Sequence, residues 1–177
     1  MVLKIGGIQM SKFIDEAPSE ISLKKEDLSK TFEQELQDVE IKIVEIARMY
    51  AKDQADNVFV HILCNGNTIS INYFYRFGKK LLKKEAINEA DSVSMDTFDV
   101  TQENQQKTLE SMTREFAKAM ASAKKHEKPI PSEIRLTYDK KSNRLLPQMR
   151  QDSLDAMYFA RSHANWFYDI EEKVNLL

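Results

Sequence analysis

The sequence predicts an α+β domain: a meandering antiparallel sheet of four to five strands with helices packed on one face, in the order α-β-β-β-α-β-β-α. Three observations carry that expectation. Apolar residues recur at spacings of three and four in three separate stretches, the period of a helix with one buried side. The dipeptide Asn65-Gly66 divides two strand-like runs. Short turns join most of the strands, and strands joined this way are antiparallel, which leaves helices to cover a face.

Residues 1–22 lack periodicity and are expected to be a loosely ordered leader to a single domain, residues 23–177. Ser22 suits an N-cap, with Glu26 and Asp27 near the first turn. Leu28, Phe32, Leu36, Val39, Ile43 and Ile46 then mark a long amphipathic helix over about residues 23–53.

A hairpin follows over residues 57–77. Asn-Gly favours a type I′ turn, because both central residues must take positive φ. That turn pairs Cys64 with Asn67, Ile62 with Ile69, Val60 with Ile71 and Val58 with Tyr73 on one apolar face. The other face pairs Leu63 with Thr68, His61 with Ser70 and Phe59 with Asn72. Gly78-Lys79 offers a second turn into a third strand over residues 80–87. Residues 88–101 form a polar connection, and Thr101 is the expected N-cap of a second helix. Leu109, Met112, Phe116, Met120 and Ala123 mark its buried side, and it must stop before Pro129. Residues 133–138 alternate as a strand, Asp139-Lys140-Lys141-Ser142-Asn143 form a turn-rich link, and residues 144–149 return as a strand that Pro147 holds to the edge. A last helix is expected over residues 152–174, with Leu154, Met157, Ala160, Ala164, Phe167 and Val174 as its contacts.

Composition narrows the function. At 177 residues the chain can bury a core without staples. Its net charge of -2 argues against nucleic acid or an anionic membrane as the main ligand. Cys64 is the single cysteine, so no intramolecular disulfide forms. No apolar run approaches the ~18 residues of a membrane span, and the N-terminus lacks a signal-peptide core, so a cytoplasmic location is expected. Gly6, Gly7, Gly66 and Gly78 are too few for a phosphate-cradling loop.

No catalytic, metal or cofactor site is expected. His61, His126 and His163 share no helical ligand spacing, and His61 and Cys64 point to opposite faces of a strand. His126 follows Lys124-Lys125, where cations favour a helix C-terminus. Cys64 has no evident general base and reads as a small packed residue. Tyr73, Tyr75 and Phe77 alternate onto the apolar face and read as core, not as a base-stacking platform. The surface feature best suited to a partner is the connection carrying Glu89, Asp91, Asp96 and Asp99 with no basic residue. Such a loop suits docking against a basic protein such as a nuclease.

This element order and several strings resemble the YezG-like immunity (antitoxin) family: the run 57–77 with Asn72-Tyr73-Phe74-Tyr75, the helix at residues 108–123, Ile134-Arg135-Leu136-Thr137-Tyr138-Asp139, and Asn165-Trp166-Phe167-Tyr168. The chain differs in carrying Ala55-Asp56 where that family commonly has a tryptophan, and in its leader. The resemblance implies a non-enzymatic cytoplasmic inhibitor whose partner is a cognate toxin, often a nuclease domain, occluded at its active site. Two alternatives stand beside it. A secretion chaperone would expose a sizeable apolar patch to hold its client. An enzyme with an unmarked site would show converging titratable groups.

Overall fold

In the computed structural model, residues 30–66, 68–90 and 97–176 are described. The first helix, α1, is Phe32–Tyr50. It starts where Thr31 and Gln34 form a capping box: the Gln34 N–H donates to Thr31 Oγ1 at 3.3 Å, and the Thr31 N–H to Gln34 Oε1 at 2.9 Å. These bonds satisfy N–H groups that a helix end otherwise leaves orphaned. The helix expected to run unbroken from residue 23 to 53 is therefore bounded by Thr31 and Ala51. Its expected cap, Ser22, lies outside the described residues. At the other end Lys52 and Asp53 take left-handed φ values of 46° and 53°. The Asp53 N–H reaches Arg48 O, and its carboxylate accepts from Arg48 Nε at 2.9 Å, which holds the reversal.

Strands β1 (Asn57–Asn65) and β2 (Thr68–Phe77) form the expected hairpin in a different register. Asn65 pairs with Thr68, Cys64 with Ile69 and not Asn67, Val60 with Tyr73 and not Ile71, His61 with Asn72 and not Ser70. Asn65, expected in the turn, is the last paired residue of β1; Gly66, at φ +59°, follows it in the turn, and Asn67 lies outside the described residues. The shift is two residues, so each side chain keeps its face and the apolar pattern cannot detect it. Long-range bonds decide it: Tyr75 Oη donates to Ala47 O at 2.8 Å, and Asn65 Nδ2 to Leu154 O at 3.3 Å.

Strand β3 is only Lys80–Lys83. The stretch expected to continue it to Ile87 winds into a 3-10 turn, Lys84–Glu89, which buries Ile87 completely. Helix α2 is Gln102–Lys125, capped by Thr101 as expected. Strands β4 (Glu133–Asp139) and β5 (Arg144–Arg150) form the second hairpin, with β5 and its Pro147 at the edge. Helix α3 is Ala156–Asn175, capped by Asp155.

The sheet is antiparallel in the order β3-β2-β1-β4-β5, so the α+β class and element order hold. A meander describes β1 to β3; the β4–β5 hairpin joins on the far side of β1. Helices α1 and α2 run antiparallel over one face, where Ile43, Ala47, Met112, Phe116 and Ala119 meet Val60, Ile62, Tyr75 and Leu136 in one apolar core. The expectation that all helices share that face is overturned by α3, whose Trp166 and Phe167 pack on Phe59 and Phe74 of the opposite face. The cause lies in β1. Phe59, His61 and Leu63 are as buried as Val58, Val60 and Ile62, and a strand buried on both sides needs cover on both.

The phase of α3 also differs from expectation. Met157 is 67% exposed, and Ala160 and Ala164 face solvent. The packed side instead runs through Tyr158, Ser162, His163, Trp166, Phe167 and Ile170. Much of that side is polar, so hydrophobic spacing could not single it out.

Candidate functional site

The face of the sheet under α3 gathers a polar cluster from four elements. Strand β1 contributes His61, wholly buried; β2 contributes Ser70, half-buried; β4 contributes Glu133, 4% exposed; α3 contributes Tyr158 and, one helical turn on, the adjacent Ser162 and His163 along its inner side. The groups form a continuous chain. His61 Nε2 lies 2.8 Å from Glu133 Oε1, His61 Nδ1 lies 3.0 Å from His163 Nδ1, and His163 Nε2 lies 2.8 Å from Ser70 Oγ.

The tautomers follow from Glu133. Its carboxylate accepts from Arg135 Nε at 2.7 Å and from Tyr158 Oη at 2.7 Å. Burial alone would raise its pKa, but the bonds from Tyr158, His61 and Arg135 outweigh burial and hold it below the ordinary value. An ionised carboxylate only accepts, so His61 Nε2 must carry the proton and His61 Nδ1 is bare. His163 Nδ1 must then be the donor to His61, and His163 Nε2 the bare acceptor of the Ser70 hydroxyl. Both imidazoles are neutral. Burial first, then the neighbouring His163, lowers the pKa of His61 to about 4. Burial and Lys84 lower that of His163 to about 4. Trp166 closes the cluster edge-on against His61, with ring centroids 5.0 Å apart. Beside it, a cavity of 340 Å³ lined by Arg135, Gln148, Arg150 and Tyr158 opens toward β5.

The chain matches no protein-family model, and no curated protein is similar to it.

Of the acidic residues singled out in the sequence, Glu89 and Asp99 are described, and neither belongs to this polar cluster. Glu89 ends the 3-10 turn, exposed, with its carbonyl accepting from Lys80 Nζ. Asp99 is exposed and accepts from the Thr101 hydroxyl at 2.6 Å and its N–H at 3.1 Å, bonds that hold its carboxyl below the ordinary range. Asp91 and Asp96 lie outside the described residues. The connection is not free of packing: Ala90 and Phe98 are buried, and the Asn88 amide bonds both the N–H and the carbonyl of Phe98. Asp99 also stands at the end of a groove of 620 Å³ along the α1–α2 seam, floored by Ile46, Tyr50 and Thr108.

Cys64 is buried on the α1–α2 face, away from His61, and burial raises its thiol pKa. His126 caps α2 at its C-terminus. Among the described residues, no group of three or more His, Cys, Asp or Glu side chains is placed to hold a metal, and no helix is long and apolar enough to cross a membrane. The polar cluster escaped the sequence reading because its members are far apart in the chain. One signal was present: His61 interrupts an apolar run on a strand buried on both faces, so it needs a bonded partner.

Proposed function

We propose that the chain is an immunity protein that binds and neutralises a protein toxin in the cytoplasm of the cell that makes it, without catalysis of its own in that role. The observation that carries this reading is the α1–α2 groove. Ile46 and Tyr50 give its floor an apolar part, Met49 stands 75% exposed at its wall, and Lys42, Glu45, Lys52, Lys107, Glu115 and Asp99 form a charged rim. An apolar floor within a polar rim is the anatomy of an interface with a folded partner. Asp99, Glu45 and Glu115 give the groove carboxylates that can pair with basic groups of a partner, beside Lys42, Lys52 and Lys107.

A client-holding chaperone fits less well. Among the described residues, the large exposed apolar side chains are spread over α1 (Ile41, Met49), β5 (Leu146, Met149), α3 (Met157, Tyr168) and Leu176. The test is co-expression with the C-terminal domain of the protein encoded immediately upstream. An immunity protein restores growth and co-purifies as a stoichiometric complex, and Met49→Asp abolishes both. Growth arrest that the chain does not relieve would remove this reading.

A further inference from the structure

Ser70, His163, His61 and Glu133 have the arrangement of a nucleophile, its base and the groups that orient the base. The bare Nε2 of His163 faces the Ser70 hydroxyl at 2.8 Å, and Ser70 is half-buried rather than sealed. The nearest described space lies one strand step and one helical turn away. A cavity of 230 Å³ is lined by Asn65, Thr68, Ala156 and Phe159. Thr68 shares a strand face with Ser70, and Phe159 lies one turn before His163 on the same side of α3. An anion-stabilising donor is also at hand. Strand β3 pairs with β2 only at residues 74–77, so among the described residues the outer edge of β2 beside Ser70 has no strand partner. The Tyr73 N–H on that edge turns to Asn72 Oδ1 at 3.0 Å, and strand periodicity sends the Ile71 N–H the same way.

We propose that Ser70 is a nucleophile for acyl transfer from small esters, with His163 as its general base. Ser70 Oγ bonds to the ester carbonyl carbon while its proton passes to His163 Nε2, and the Ile71 N–H stabilises the oxyanion. The bond from carbon to the alcohol oxygen then breaks, and the imidazolium returns the proton to the departing alcohol. Water repeats the sequence on the acyl-serine, releasing the carboxylic acid. His61 and Glu133 touch no substrate; they are positioning residues that fix the His163 tautomer. This activity is independent of the α1–α2 groove on the opposite face.

The experiment is labelling of the full chain with phenylmethanesulfonyl fluoride, followed by intact mass and peptide mapping. Attack of Ser70 Oγ on sulfur forms the sulfonate ester and expels fluoride. A single adduct on Ser70 is expected, and p-nitrophenyl acetate should then lose its burst of p-nitrophenol. His163→Gln should slow labelling about 100-fold or more. No adduct, an adduct on another serine, or equal labelling of His163→Gln overturns the proposal. Should His163→Gln fail to fold, the pH profile of the parent decides. The charged groups acting on His163 are Lys84 of the 3-10 turn and Glu133 of β4, and Arg135 of β4 acts on His61, which is in contact with it. A base with a pKa of about 4 is already free at neutral pH, so the labelling rate should be level from pH 6 to 8. A rate climbing tenfold per pH unit over that span marks an unassisted alkoxide and overturns it. His61→Gln should shift the lower limb of that profile, which a purely structural role would not do.

Discussion

The two faces of the sheet are held by different physics. Under α1 and α2 the contact is an apolar core, with Phe116, Met112 and Ile43 wholly buried among aliphatic and aromatic neighbours. Under α3 an aromatic patch of Phe59, Phe74, Trp166 and Phe167 flanks a bonded polar chain. Apolar packing is non-directional and tolerates exchange of shape, whereas a buried hydrogen-bonded chain fails when one member changes. The polar face should therefore be the brittle one and the apolar face the forgiving one.

Isosteric changes sharpen that contrast most. Glu133→Gln replaces an acceptor of bonds from His61, Arg135 and Tyr158 by a group that is half donor, and leaves the Arg135 charge short of a partner. It should cost about 3 kcal/mol or more. Met112→Leu, equally buried on the other face, should cost less than about 1.5 kcal/mol. Urea unfolding of both variants checks the order, and equal losses would break the comparison.

Acidity and alkalinity should also act on different faces. The folded values of His61 and His163 lie at about 4, below the ordinary 6.5. The unfolded chain then binds more protons between those values, so the stability from this pair is full above pH 6.5 and is lost as pH falls toward 4. Glu40 on α1 behaves oppositely. It is 3% exposed, and its Oε1 has no hydrogen-bond partner. Burial raises its pKa from 4.5 to about 7. Stability is therefore full below pH 4.5 and falls as pH rises toward 7, by about 3 kcal/mol at most. Glu40→Leu should raise the urea midpoint at pH 8 and leave it nearly unchanged at pH 4.5. A gain of the same size at both pH values would show that Glu40 is not the group responsible.

The smallest effects on the fold should come from the acidic connection. Changing Glu89, Asp91, Asp96 and Asp99 together to lysine should move the melting temperature little, but slow association with a basic toxin at low salt. Single changes at Glu89 and Asp99, both exposed, should each cost about 1 kcal/mol or less of binding. Asp99 is the exception to watch on the stability side, because its carboxylate bonds the Thr101 cap of α2. Stopped-flow association across a salt series measures the steering, and equal rates for parent and variant would place the interface elsewhere.

Local chemistry determined a good part of this molecule. The 3.6-residue periodicity placed α1 and α2 and their buried sides, Thr101 and Pro129 bounded α2, and alternation marked β1, β2 and β4. Each of those signals is complete within a few residues. The capping box at Thr31 and Gln34 was also local and readable, though the longer apolar spacing masked it. What only the tertiary structure decided are quantities that local patterns leave degenerate. A slip of two residues in the β1–β2 hairpin keeps every side chain on its face, so bonds to Ala47 and Leu154 had to select the register. The rotation of α3 on its face of the sheet was set by polar partners that hydropathy cannot see. The chain from Ser70 to Glu133 joins residues separated by 93, 102 and 72 positions, and it exists only because β1, β2, β4 and α3 fold onto one another.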